Sequence, residues 1–267
     1  MSDRRALSVN DLTVNVLLEG EGSGVPLVLV HALGTDLRLW DAVVARLRTW
    51  DPHRPLLRYD LRGHGLSDAP APPYTLAMLT DDLIGLVQTL GLACIDLTGI
   101  SVGGLIAMNL AAKYPGRVRR LVLCDTLPRI GTAAAWETRT EALRDRGMAA
   151  LAQTILDRWF APSFPHREPA TYRLYVNMLH RTPLDGYLGT CAALRDGDVS
   201  DRLDRITAPA LVLCGTEDLA TPLQDCRTLA EALPEARFEA VPGAAHLPPV
   251  EQPDALSDAL IRFLSNA

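Results

Sequence analysis

No segment of the chain approaches the roughly 20 consecutive apolar residues that a membrane-spanning helix requires, and Met1-Ser2-Asp3-Arg4-Arg5 is not followed by the apolar run of a secretory signal. Neither export nor membrane insertion is expected, and the compartment expected is the cytoplasm. Excess positive charge is missing too: 26 lysines and arginines stand against 32 aspartates and glutamates, for a formal charge of −6. A nucleic-acid binder would normally carry a basic face, so that class is set aside, and an anionic ligand would need a local group of arginines. The five cysteines (Cys94, Cys124, Cys191, Cys214, Cys226) are odd in number and lack metal-ligand spacing. They read as buried, reduced thiols. The glycines of Glu19-Gly20-Glu21-Gly22-Ser23-Gly24 miss the dinucleotide fingerprint because no helix pattern follows them; they read as a hairpin connection. No internal repeat or low-complexity tract is present.

What is there is a regular alternation. The 267 residues, 48% of them hydrophobic, suffice for one large core. Leu12–Leu18 alternates like a strand, and Val25–Val30 is a continuous apolar run, the mark of a strand covered on both faces. A short helix around Trp40–Leu47 and a strand over Pro55–Asp60 follow. Leu76, Leu79, Leu83, Leu86, Val87 and Leu90 then share one helical stripe that ends at Gly91. Further strands are expected over Ile95–Leu97, Val118–Leu123, Ala210–Leu213 and Arg237–Val241, with helices over Leu223–Leu233 and Pro253–Leu264. This pattern specifies a mostly parallel central sheet flanked by helices, an α/β fold. The alternation ceases from about Leu127 to Val199, where Met148–Trp159, Tyr172–Leu179 and Leu188–Leu194 suggest helices only. The expected domains are an α/β core over 1–126 and 200–267, with a helical cap inserted over 127–199.

The centre of the chain is Leu97-Thr98-Gly99-Ile100-Ser101-Val102-Gly103-Gly104. A buried strand ends here, an apolar helix begins, and a serine stands between two glycines: the G-x-S-x-G nucleophile elbow. So tight a turn strains the serine backbone, and a side chain at Gly99 or Gly103 would meet the neighbouring strand or helix. A serine hydroxyl needs an imidazole to take its proton, and the imidazole needs a carboxylate to hold it. Of the six histidines, only His166, His180 and His246 follow Ser101. His246 alone sits in a loop between the last strand and the last helix, where the base of such a triad belongs. His64 precedes the serine, which breaks the order nucleophile, acid, histidine, and reads as a structural loop histidine. Asp218, in a loop shaped by Gly215 and Pro222, is the favoured acid, and Asp125 is its rival. Ser101, Asp218 and His246 form the candidate triad.

With these parts in this order the chain resembles the α/β-hydrolase superfamily, and more narrowly the 3-oxoadipate enol-lactonases of bacterial aromatic catabolism. The similarity runs from about Val14 to Phe263. It includes His31-Ala32-Leu33-Gly34-Thr35 with Trp40-Asp41, and Arg58-Tyr59-Asp60-Leu61-Arg62-Gly63-His64-Gly65. Arg120-Leu121-Val122-Leu123-Cys124-Asp125-Thr126 belongs to it as well. More specific are Arg129-Ile130-Gly131 with Trp136, Arg158-Trp159-Phe160, and Tyr187 with Cys191-Ala192-Ala193-Leu194-Arg195-Asp196. It departs from the family at Ala32, Val102 and Leu127-Pro128. The resemblance implies an α/β-hydrolase fold and an oxyanion hole from the N–H groups of Leu33 and Val102. It also implies opening of an enol-lactone ring to 3-oxoadipate through an acyl-enzyme, without metal or organic cofactor. The partner would be a small anionic lactone or ester, with Arg129 and Arg195 on its carboxylate and Trp136 as an apolar wall. A carboxylesterase or a lactonase for another ring is the alternative within enzymes, and a small-molecule binding protein of the same fold is the alternative outside them. The oligomeric state is left open.

Overall fold

A computed structural model describes residues 2–265. Two strands, β1 (Ser2–Val9) and β2 (Leu12–Glu19), lead into β3 (Leu27–Val30), α1 (Asp41–Trp50), β4 (Leu56–Tyr59), α2 (Leu76–Thr89), β5 (Ile95–Ile100), α3 (Val102–Lys113) and β6 (Val118–Cys124). Four helices follow without a strand: α4 (Ala133–Trp159), α5 (Phe164–Arg167), α6 (Pro169–Arg181) and α7 (Leu184–Asp196). The alternation then resumes with β7 (Ala210–Gly215), α8 (Leu223–Ala232), β8 (Ala236–Val241), α9 (Pro248–Glu251) and α10 (Pro253–Ser265).

All eight strands form one sheet in the order β1-β2-β4-β3-β5-β6-β7-β8. From β4 through β8 every neighbouring pair is parallel, as strand–helix–strand connections require. Every residue of β3, β5 and β7 is buried, which is why β3 and β7 read as unbroken apolar runs rather than alternating ones. Each such leucine or valine, fully removed from water, contributes about 1.5–3 kcal/mol before the entropy of ordering it is counted. The chain leaves β3 for β4 on one side and later enters β5 on the other. Beyond the carboxyl ends of β3 and β5, at this reversal of strand order, the two diverging loops leave a crevice. Ser101 stands at its edge.

Two expectations are corrected. Residues 19–24 are not a hairpin connection: β2 pairs with β1 and β4, and the tight hairpin is β1–β2, turning at Asn10-Asp11 with Asn10 at φ 52°. The edge strand β1 is mostly exposed and polar, so it carries little periodic signal. The first inserted helix also begins well before Met148. Thr132 caps it, its hydroxyl accepting the N–H of Ala135 at 3.2 Å. The helix bends at Gly147, whose φ of 73° breaks the regular backbone. α7 crosses the loop after β4 so closely that a Cβ on Gly186 would overlap the backbone of Gly63. Among the described residues, no helix is long and apolar enough to cross a membrane.

Candidate active site

Ser101 sits between β5 and α3 at φ 56°, ψ −123°, a left-handed conformation that a non-glycine residue holds only when its surroundings enforce it. They do. Its N–H donates to the carbonyl of Cys124 at 3.0 Å, and its carbonyl accepts the hydroxyl of Thr126 at 2.7 Å. A Cβ on Gly103 would stand 2.5 Å from the carbonyl oxygen of Val30, and one on Gly99 would strike the backbone of Gly103. The two glycines are therefore steric requirements of the turn.

His246 and Asp218 come from the loops after β8 and β7. The Nδ1 of His246 lies 2.8 Å from Oδ2 of Asp218, with both residues 5% exposed. Burial alone would raise the Asp218 carboxyl. The charge and hydrogen bond of His246, the Thr221 hydroxyl and the Ala220 N–H reverse that and hold it at about 2. Asp218 is thus an ionised acceptor that fixes the imidazole tautomer. The rival Asp125 lies close by: Asp125, Asp218 and His246 each place a donor atom within 4.8 Å of the others. Asp125 is fully buried at φ 42°, and its Oδ1 accepts the N–H of Gly215 at 2.8 Å. Burial and the neighbouring charge of Asp218 push its carboxyl well above the usual range, opposite to the shift of Asp218 itself. A cation at this cluster would compete with the bond between Asp218 and His246.

The loop after β3 carries Leu33. In it the Gly34 N–H donates to Nε2 of His64 at 3.0 Å, and across the elbow the N–H groups of Gly104 and Leu105 go to the Ser101 carbonyl at 2.9 and 3.0 Å. None of these bonds uses the N–H of Leu33 or of Val102. His64 is buried and bonded to the loop backbone on both ring nitrogens, the arrangement of a structural histidine.

Ser101, His246 and Leu33 line one cavity of about 150 Å³. Trp136 lines it too, its Nε1 donating to the carbonyl of Ile130 at 2.6 Å. Arg129 and Arg195 do not. Arg129 points outward towards Asp198 at 3.7 Å while its neighbour Ile130 faces the cavity, and Arg195 pairs with Asp196 at 2.6 Å while Leu194 faces in. The cations on the cavity wall are Arg139 and Arg158. Arg139 stacks over the Trp136 ring at 4.9 Å, and Arg158 donates to the Leu219 carbonyl at 3.3 Å. The signal for Arg139 was its place three residues after Trp136, on the same helical face; it is legible only once α4 is known to begin at Ala133.

The chain matches the family described as "alpha/beta hydrolase fold" across residues 25–253. It is 33% identical to 3-oxoadipate enol-lactonase 2 of Acinetobacter baylyi over 254 residues, covering 95% of this chain and 94% of that one. Among solved structures it is similar to the enol-lactonase from Burkholderia xenovorans LB400, at 38% identity and a TM-score of 0.94, covering 98% of this chain and all of the other. A thermophilic esterase from Thermogutta terrifontis superposes with a TM-score of 0.89 at 30% identity over 98% of each chain. Sheet order, elbow and sequence agree, and the chain belongs to the alpha/beta hydrolase family.

Proposed function

We propose that this protein is a cytoplasmic serine hydrolase that opens the ring of 3-oxoadipate enol-lactone, with residues 127–199 as the cap that selects the substrate. The observation that carries the reading is one cavity that presents Ser101 and His246 beside two arginines and the Trp136 ring. A nucleophile and base alone would suit any small ester. The added cations suit one that carries a carboxylate next to its ring, and the similarity to enol-lactonases supports the same substrate class.

In this mechanism the Ser101 hydroxyl oxygen attacks the lactone carbonyl carbon as Nε2 of His246 takes its proton, and Asp218 stabilises the resulting imidazolium. The N–H groups of Leu33 and Val102 hold the oxyanion; losing one such donor typically costs about 2.7–4 kcal/mol of barrier. Collapse breaks the ring C–O bond and expels an enolate, whose carbon then takes the proton held on Nε2 of His246, directly or through water, so that it becomes a ketone and the imidazole is neutral again. That leaving group is weakly basic and needs little acid assistance. Water, deprotonated by His246, then attacks the acyl-enzyme, and the proton returns to Ser101 as the dicarboxylate departs. Arg139 and Arg158 meet the substrate carboxylate, a task for which the guanidinium fork is suited. The test is a spectrophotometric assay on the enol-lactone beside a panel of simple esters and lactones. Preference for the enol-lactone in kcat/KM is expected; equal rates on neutral acetates would return the protein to a general carboxylesterase.

A further inference from the structure

The residue before His246, the end of α4 and the end of α9 meet at one buried carboxylate. Glu251 is 5% exposed. Its Oε2 accepts the N–H of Ala245 at 2.7 Å, and its Oε1 accepts the N–H of Ala161 at 2.8 Å. Ala245 precedes His246, and Ala161 lies two residues beyond Trp159, whose ring lines the cavity. A second bond runs in parallel: the N–H of His246 donates to the carbonyl of Trp159 at 3.1 Å. One carboxylate and one backbone bond therefore join the histidine loop to the cavity wall built by the helical segment. The Arg167 guanidinium donates to the Glu251 backbone carbonyl at 3.4 Å, closing the joint from α5.

We propose that Glu251 is a positioning residue that sets the His246 imidazole against the cavity wall through its two carboxylate oxygens. This rests on the reading of Ser101, Asp218 and His246 as a hydrolytic triad and adds a fourth side chain on which the base depends. Only a group with two acceptor oxygens satisfies two N–H donors that approach from separate segments; apolar volume cannot. The carboxylate is held there against its own solvation. Burial, with the charge of Glu217 adding to the rise, outweighs the pull of the Ala161 and Ala245 N–H groups and of Arg167 and leaves it raised to about 7.

The test is Glu251→Gln, with Glu251→Ala beside it. The amide keeps one acceptor oxygen and turns an NH2 group towards the other N–H, so side-chain volume is preserved while the joint is broken. On a neutral aryl acetate and on the enol-lactone alike, kcat is expected to fall about 10- to 100-fold, the loss typical of a displaced catalytic group, with KM within about threefold of the parent. The downfield proton resonance of the His246 Nδ1–H bonded to Asp218 is expected to broaden in the folded variant. A purely structural role would lower the melting temperature and leave kcat at 25 °C and the resonance unchanged; that result overturns the proposal. A parent protein that neither turns over any ester nor reacts with a fluorophosphonate would end the hydrolase reading, and the resonance would still decide the role of Glu251.

Discussion

Gly34 and His64 are joined by a hydrogen bond from the glycine N–H to Nε2 of the ring at 3.0 Å, and His31 returns the bond by accepting the N–H of Leu61 on its own Nε2 at 2.9 Å. The loop after β3 thus carries a histidine that holds the loop after β4, and the reverse. Each ring uses Nδ1–H on a nearby carbonyl, that of Ala32 at 2.8 Å for His31 and of Arg62 at 3.1 Å for His64. Both imidazoles are therefore neutral, with fixed tautomers, and the loop that carries Leu33 is held from below.

Replacing His64 with alanine leaves the Gly34 N–H buried without a partner and opens a cavity beside it. The unpaired donor alone costs about 1–3 kcal/mol. Urea unfolding at pH 7 should show at least that loss, and kcat should fall with it, because the released loop carries Leu33, the proposed oxyanion donor. A variant with parent stability would contradict this account of the bond.

The same two rings predict a pH dependence. Burial lowers His31 from 6.5 to about 4 and His64 from 6.5 to about 3. The unfolded chain binds protons at these sites before the folded chain does, so their contribution is full above about pH 6.5 and is lost as pH falls towards these values. Glu251 runs the other way: raised from 4.5 to about 7, it favours the fold below its unfolded value and loses that contribution as pH rises through about 7. The urea midpoint of Glu251→Gln should therefore decline more steeply from pH 6.5 to 4.5 than that of the parent, and adding His64→Ala should flatten the decline.

Asp218 and Asp125 are separated by the direction in which their surroundings move them, Asp218 held low and Asp125 pushed up. Asn in place of Asp218 reverses the polarity of the group facing the histidine, a change that has cost about 10⁴-fold in kcat in a comparable triad. Asn in place of Asp125 is close to isosteric with a carboxyl whose charged form burial and Asp218 disfavour, and its carbonyl can still accept the Gly215 N–H. Its kcat should stay within about tenfold of the parent, since hydrogen bonds of this type contribute on the order of 1 kcal/mol. The reverse ranking in steady-state kinetics would make Asp125 the working acid.

How far the sequence carries is visible at particular residues. Ser101 is legible because its two flanking glycines answer a local steric demand, and strand and helix patterns adjoin it on either side. β3 and β7 are legible because burial on both faces writes continuous apolar runs. The β1–β2 hairpin is not, since an exposed edge strand needs no apolar face. Helical phase was the other missing quantity: Arg195 and Leu194 are neighbours in sequence, and only the packing of α7 decides which one reaches the cavity. Glu251 has no local signature either, because its partners, Ala161 and Ala245, are backbone groups and are 90 and 6 residues away.

The arginines give the sharpest test of the substrate class, because two pairs of the same residue type serve as each other's control. Arg139 and Arg158 line the cavity, whereas Arg129 and Arg195 pair with Asp198 and Asp196 outside it. Exposed pairs of the latter kind contribute about 0–1 kcal/mol, so methionine at 129 or 195 should leave kcat/KM nearly unchanged on every substrate. Methionine at 139 or 158 removes the proposed charge-assisted contact to the lactone carboxylate while keeping much of the apolar stem. Such contacts contribute about 1.5–3 kcal/mol, which is roughly 10- to 150-fold in kcat/KM. The loss should fall on the anionic enol-lactone and spare a neutral aryl acetate, which has no charge for the guanidinium to meet. Arg139→Met carries a second expectation: with the cation gone from the Trp136 face the ring is freer to turn, so KM for the aryl acetate should shift slightly while kcat holds. Equal losses on both substrates would mean that these arginines shape the wall without reading the carboxylate, and the enol-lactone would lose its claim over other small esters.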